Sequence, residues 1–131
     1  FNRQMNGCLD EGKGACALVD PECAACVKVA SEAFDGERYD LGDLVVMPNH
    51  VHLLMTPYQG HELESLLKGV KGVSARKINK RLNRSGTLWQ KDSYDHLVRN
   101  EAQLRKFRDY IWENPAKEGL DPSTCLRYRV E

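Results

Sequence analysis

Nowhere does this chain approach the roughly 18 consecutive apolar residues of a membrane-crossing helix, so none is expected and a membrane is not counted among its partners. A basic-plus-apolar leader is equally lacking at the start. The chain opens on Phe1 rather than Met and is expected to be a piece of something longer. Net charge is lacking too: 19 Lys and Arg balance 19 Asp and Glu. That excludes a uniformly basic protein, though not nucleic-acid binding. A second tight cysteine pair is also missing. Cys23-Ala-Ala-Cys26 has zinc-like spacing, with Cys8 and Cys16 upstream and Cys125 far downstream, but a structural zinc site normally needs two such pairs. An odd cysteine count without a leader fits a reducing cytoplasm.

What is present begins with a charge polarity that the neutral total hides. Residues 1–64 hold 4 Lys/Arg against 11 Asp/Glu, and residues 65–131 hold 15 against 8, so the halves carry −7 and +7. Such asymmetry points to a polyanion partner for the basic half. At 131 residues the chain is read as one domain over 1–131, long enough for a single core.

In chain order, Phe1 to Asp20 reads as loop, with Gly7, Gly12 and Gly14 and no clean period. Residues 21–34 read as an amphipathic helix with Pro21 at its start and Cys23 and Cys26 as small core residues, ending near Gly36. Arg38 to Leu41 leads into a strand, and Asp43 to Met55 reads as one buried strand before a turn over Thr56–Gly60. From His61 to Arg84 the residues Leu63, Leu66, Leu67, Val70, Ile78 and Leu82 keep helical spacing. After a turn at Ser85-Gly86-Thr87, residues 88–98 are strand-like. Asn100 then reads as an N-cap with Gln103 three residues on, opening a helix that Pro115 is expected to stop after Asn114.

The stretch that organises the rest is Met47-Pro48-Asn49-His50-Val51-His52-Leu53-Leu54-Met55. Alternate residues of a strand share a face, so His50 and His52 stand side by side, roughly 7 Å apart at the backbone, while Val51, Leu53 and Met55 enter the core. Two imidazoles on one rigid face are half of a divalent-metal site. A pair of surface histidines is the bland alternative. On the final helix Tyr110 and Asn114 lie one turn apart and share a face, which matters only if that face meets the histidines.

The helix over 61–84 carries Lys68, Lys71, Arg76, Lys77, Lys80, Arg81 and Arg84, against Glu62 and Glu64 at its start. With no acids read as interleaved for pairing four residues apart, this face is expected to contact phosphates rather than merely to be solvated.

Four ordered blocks then carry a resemblance. Met47-Pro48-Asn49-His50-Val51-His52-Leu53-Leu54, Gly86-Thr87-Leu88-Trp89-Gln90, the run from Tyr94 to Glu101, and the run from Tyr110 to Leu120 are similar to the REP-associated tyrosine transposases. These belong to the small single-tyrosine, His-hydrophobic-His (HUH) transposases, and the likeness spans roughly residues 34–120. It implies an α+β, ferredoxin-like sandwich whose antiparallel sheet carries packed helices. Metal ligands would fall on His50, His52 and Asn114, the nucleophile on Tyr110, and Trp89 would join the cations as a DNA-contacting residue. Members usually begin with a hydrophobic strand before the first helix, and none is evident ahead of Phe1, so that strand is expected to be lacking.

The implied reaction is cleavage and joining of single-stranded DNA beside a hairpin. A tyrosine phenol ordinarily ionises near pH 10 and needs help to attack. Mg²⁺ or Mn²⁺ held by two imidazoles and an amide would polarise and orient the phosphate, although so few hard ligands would also admit Zn²⁺, Ni²⁺ or Co²⁺. The product would be a 5′-phosphotyrosine and a free 3′-OH, with His96 as a potential helper. Alternatives are a hairpin-binding protein without cleavage, a relaxase or rolling-circle nickase, and a metallohydrolase that makes no covalent adduct. The unit is read as a monomer or homodimer.

Overall fold

A computed structural model describes residues 4–10, 17–89, 94–98, 100–121, 123 and 125–129, with the backbone alone over 4–10 and 94–97. Its elements run β1 (Gln4–Asp10), α1 (Pro21–Glu32), β2 (Tyr39–Val46), β3 (His50–Pro57), α2 (Leu63–Leu82), β4 (Tyr94–Val98), α3 (Glu101–Lys117) and β5 (Leu126–Tyr128). The strands form an antiparallel sheet in the order β4-β1-β3-β2-β5. The first six elements thus make the β-α-β-β-α-β ferredoxin-like unit, to which α3 and β5 are added.

Local chemistry sets the helix ends. The Asp20 side chain accepts from the Glu22 N–H at 2.9 Å ahead of Pro21, and Asn100 accepts from the Gln103 N–H at 2.9 Å; each satisfies a donor the helix leaves open. Asn83 closes α2 with a left-handed φ of 51°.

The sheet buries both faces. On one, α1 and α2 pack against Leu44, Val46, Val51, Leu53 and Met55, with Cys23, Val27, Leu67 and Ile78 among the buried helix residues. On the other, Ile111 of α3, flanked by Leu104 and Phe107, packs against Val45, Met47, Leu54 and Val98. A bulge between Leu41 and Leu44 shifts the pairing of β2 with β3. The extra residue switches the parity of β2, so Tyr39, Leu41, Leu44 and Val46 all serve the first core while Val45 serves the second. Gly42 sits in this bulge, where a Cβ would lie 3.0 Å from the Leu54 Cβ.

Asp43, 1% exposed, turns a carboxylate toward α3. Arg108 donates to it through Nε at 2.8 Å and Nη2 at 3.3 Å. This two-pronged geometry ties α3 to β2 more firmly than a single contact would.

Four expectations need correction. The segment over Gln4–Asp10 is a strand rather than loop, paired on both sides by β3 and β4, so the strand expected to be lacking before the first helix is present. The supposed single strand from Asp43 to Met55 is a hairpin, in which Met47-Pro48-Asn49 is the turn and the Met47 N–H donates to the His50 carbonyl at 2.8 Å. Pro48 has no N–H to give a ladder, which suits a turn and not a strand interior. Within the strand-like 88–98 stretch, the described ladder strand is Tyr94–Val98, preceded by Leu88 outside any strand, and Gln90–Ser93 lie outside the described residues, as does Cys16. Finally, Pro115 does not stop α3, which continues to Lys117. In a last turn the missing N–H forfeits one bond, and the end is secured by Glu118 N–H to the Asn114 carbonyl at 3.1 Å and Leu120 N–H to that of Pro115 at 2.8 Å. Gly119, at φ 75°, then takes the chain off the helix.

The α3 clamp has a measurable consequence. Asp43→Asn keeps the shape but removes the charge facing Arg108, and should lower unfolding stability by about 1–2 kcal/mol, as expected for a lost charge-assisted hydrogen bond. A shift of the urea midpoint at constant slope checks this; an unchanged midpoint would mean that α3 is held by its apolar seam alone.

Candidate active site

The hairpin places His50 as the first residue of β3 and His52 two further on, on the face that α3 covers. Their ring centroids are 5.0 Å apart at an interplanar angle of 84°. Val51, Leu53 and Met55 point away into the first core, as strand alternation requires.

From α3 the Tyr110 ring meets His52 edge-on, with centroids 5.4 Å apart at 79°. Tyr110 is 42% exposed, so its ring is open to solvent. One turn on, Asn114 is 2% exposed, and its Nδ2 has no hydrogen-bond partner among the described residues. A buried, unsatisfied amide is costly in a packed structure and calls for a ligand. Because an amide can present either end by rotating, the same group offers its oxygen to a cation. Another turn on, Glu118 Oε1 lies 3.9 Å from His50 Nε2. The residues Tyr110, Asn114 and Glu118 therefore form one stripe of α3 along the imidazole pair.

The His50 Nδ1 lies 2.8 Å from the Asn49 Oδ1, a contact that orients the imidazole on the sheet face. Lys117 places Nζ 5.5 Å from the centre of the Tyr110 ring, adding a positive charge beside the phenol. His96 lies on β4, where the backbone alone is described.

The site contains what a divalent cation needs in part. Among the described residues no three His, Cys, Asp or Glu side chains converge closely enough to hold a metal by themselves. Two imidazoles and the orphaned Asn114 amide nevertheless make a donor set that a hard or borderline ion accepts.

The expected DNA-contacting residues divide. Lys68, Arg76, Lys77, Lys80 and Arg81 are exposed on α2, Arg84 is exposed just beyond its end, and Lys71 is half-buried. Arg81, however, donates to Asp20 through Nε at 2.8 Å, which holds the Asp20 carboxyl below the usual carboxylate range. Lys68 lies 3.9 Å from Glu64, four residues before it. The cations are thus not all unpaired, and the reading that no acid pairs with them four residues apart is corrected at Lys68. Arg76, Lys77 and Lys80 hold no ion pair among the described residues. Trp89 is a further correction: it is 4% exposed in the first core, and its indole N–H donates to Ser74 Oγ at 3.0 Å. An aromatic beside a glycine-containing turn gave no sign of that burial, because its partner Ser74 is distant in sequence.

Sequence reasoning passed over Glu118, Asn49 and Lys117. A helix stop at Asn114 would have removed Glu118 and Lys117 from this face; only the continuation through Pro115 puts them there.

A sequence model of the family described as IS200-like transposases matches residues 18–114. The REP-associated tyrosine transposase of Escherichia coli is 29% identical over 84 residues, covering 62% of this chain and 47% of that protein. A Haemophilus influenzae protein provisionally given the same name is 28% identical over 86 residues, covering 58% and 49%. The chain spans about half the length of these curated relatives. A solved structure of a REP-associated tyrosine transposase bound to a REP hairpin is similar with a TM-score of 0.74 at 20% identity, covering 92% of this chain and 70% of that one. At that identity the likeness establishes the shared fold.

Burial of Trp89 predicts a stability phenotype in place of a binding one. Trp89→Phe leaves Ser74 Oγ without its donor and should destabilise the fold by about 1–3 kcal/mol. Hairpin-DNA affinity of the folded fraction should be unchanged; a selective loss of affinity without destabilisation would restore Trp89 to the DNA surface.

Proposed function

Because the chain belongs to the IS200-like transposase family, we propose that it cuts and rejoins single-stranded DNA beside a hairpin, with Tyr110 as nucleophile and His50, His52 and Asn114 holding a divalent cation. The 131 residues act as one catalytic domain in the cytoplasm. The observation that carries the proposal is the meeting of Tyr110 with His52 at 5.4 Å, one turn before an orphaned buried amide.

The residues divide the work as follows. His50, oriented by its contact with Asn49, and His52 offer ring nitrogens from one strand face. Asn114 offers its amide oxygen from a buried position. Mg²⁺ or Mn²⁺, when bound, supplies Lewis-acid polarisation of the scissile phosphate. Tyr110 attacks phosphorus: the Oη–P bond forms, the P–O3′ bond breaks, the phenolic proton passes to solvent and the leaving 3′ oxygen takes one up. The phosphodiester count is conserved in a 5′-phosphotyrosine, so the strand can be rejoined to another end. Lys117 holds its ammonium 5.5 Å from the centre of the Tyr110 ring, where it can contact the incoming phosphate.

The hairpin stem is assigned to the exposed cations of α2. The sheet separates that helix from the imidazoles, so the stem and the scissile phosphate occupy opposite faces, joined by single strand passing round an edge. The hairpin named with the solved structural neighbour supports this class of partner.

Incubation with end-labelled single-stranded hairpin DNA and Mn²⁺ should give a covalent protein–DNA band. Tyr110→Phe should bind DNA normally and give no band, His50→Ala should fold and bind DNA but not cleave, and Tyr94→Phe should still form the adduct. An adduct that survives in Tyr110→Phe and is lost in Tyr94→Phe would overturn the assignment. Binding without any adduct in the unaltered chain would make it a hairpin-binding protein.

The charge assignment is checked separately. Lys77→Ala with Lys80→Ala should weaken binding across sequences and reduce the slope of log K against log salt by about 1–2, as for the loss of up to two phosphate contacts. An unchanged slope would leave this helix face merely solvated.

A further inference from the structure

The C-terminal strand grips the helix that carries Tyr110, and it does so beyond residue 114, where the family match ends. Arg127 of β5 stands opposite Val45 of β2, whose side chain belongs to the core under α3. Strand alternation turns Arg127 and Arg129 toward α3, while Leu126 packs against the first core and Tyr128 meets Lys28 of α1.

Arg127 makes two contacts with one residue of α3. Its Nη1 donates to the Trp112 carbonyl at 2.9 Å, and its Cζ stands 4.0 Å from the centre of the Trp112 ring. Among the described residues Arg127 has no carboxylate partner, so ion pairing does not account for its placement. The point of attachment is where the helix is weakest. Pro115 has no N–H, so the Ile111 carbonyl lacks the donor that a regular helix brings from four residues on. The next carbonyl along is the one that Arg127 holds. Trp112 lies midway between Tyr110 and Asn114, so this side chain braces the turn that joins them. Arg129 adds a lesser tie, with Nη2 3.4 Å from the Oδ1 of Asp109 in an exposed pair.

Building on the assignment of Tyr110 as nucleophile, we propose that Arg127 is a positioning residue for the reaction, fixing the rotation of α3 and so the aim of the phenol. The apolar seam at Ile111 has no direction of its own, whereas a hydrogen bond combined with a stacked guanidinium plane accepts few orientations. The C-terminal strand thereby becomes part of the catalytic apparatus.

Single-turnover formation of the covalent adduct, with saturating hairpin DNA and Mn²⁺, measures this. Arg127→Ala should slow adduct formation at least about tenfold, because a misplacement of about 1 Å can cost on the order of 10²-fold. Hairpin affinity, assigned to the cations of α2, should not change. Arg127→Lys keeps the charge but loses the planar stack and should react at an intermediate rate. Trp89→Phe is the control for stability: it loosens the opposite layer and should form adduct at the unaltered rate per folded molecule. It also leaves Trp112 as the sole tryptophan, whose emission should shift to the red when Arg127→Ala uncovers the ring. If Arg127→Ala reacts at the unaltered rate, or slows only in proportion to its unfolded fraction, the strand merely supports the fold and the proposal is wrong. Should the alanine variant not fold, Arg127→Lys decides by the same comparison. An unaltered chain that forms no adduct on Tyr110 would defeat the nucleophile assignment and this proposal with it, while the emission shift would still report the Arg127–Trp112 contact.

Discussion

Everything at the site depends on how α3 is held to the sheet. The residue Ile111, flanked by Leu104 and Phe107, seals against Val45, Met47 and Leu54, and full burial of one such side chain is worth roughly 1.5–3 kcal/mol. That seam is non-directional and would tolerate sliding. The Arg108–Asp43 pair supplies direction, because a guanidinium fork on a buried carboxylate accepts few orientations. Both are displaced from the Tyr110–Asn114–Glu118 stripe by only part of a turn, so fixing them aims the stripe at β3. The bulge in β2 belongs to the same device: without it, Asp43 and Val45 would face α1 and α2 instead.

The sheet separates two kinds of chemistry. Its α3 face carries imidazoles, a phenol and an amide around a small polar site. Its α1/α2 face is a larger apolar core, and the exposed cations stand on the outside of that layer. A neutral total charge is compatible with this arrangement because Asp20, at the start of α1, neutralises Arg81 of α2 and leaves Arg76, Lys77 and Lys80 forward. On the function proposed above, this separation keeps salt-sensitive stem binding away from the reacting phosphate.

Much of this was legible from residues alone, for local reasons. Pro21 and Asn100-x-x-Gln103 mark helix starts by their own local chemistry, and the alternation through His50, Val51, His52 and Leu53 sets which side chains share a face. Legibility ended where partners distant in sequence decide. Gln4-Met5-Asn6-Gly7 contains no β-branched residue, and β1 is a strand because ladders flank it on both sides. Trp89 is buried because Ser74, fifteen residues earlier, accepts its N–H. Pro115 reads as a stop, yet in a final turn it removes one bond from a helix already fixed by tertiary packing. That last misreading concealed Glu118, since a shorter helix carries no third residue on the stripe. The pairing of Tyr110 with the histidines was readable only as a condition, that the two faces meet, and the fold brings them together.

The account rests on Tyr110 being the atom source of a covalent bond to DNA. The most direct measurement is peptide mapping by mass spectrometry after reaction with single-stranded hairpin DNA and Mn²⁺, followed by nuclease trimming. A nucleotide remnant is expected on the peptide containing Tyr110, attached to that tyrosine and absent when the divalent ion is chelated. A remnant attached to Tyr94 or another side chain, or cleaved DNA with every peptide unmodified, would contradict it.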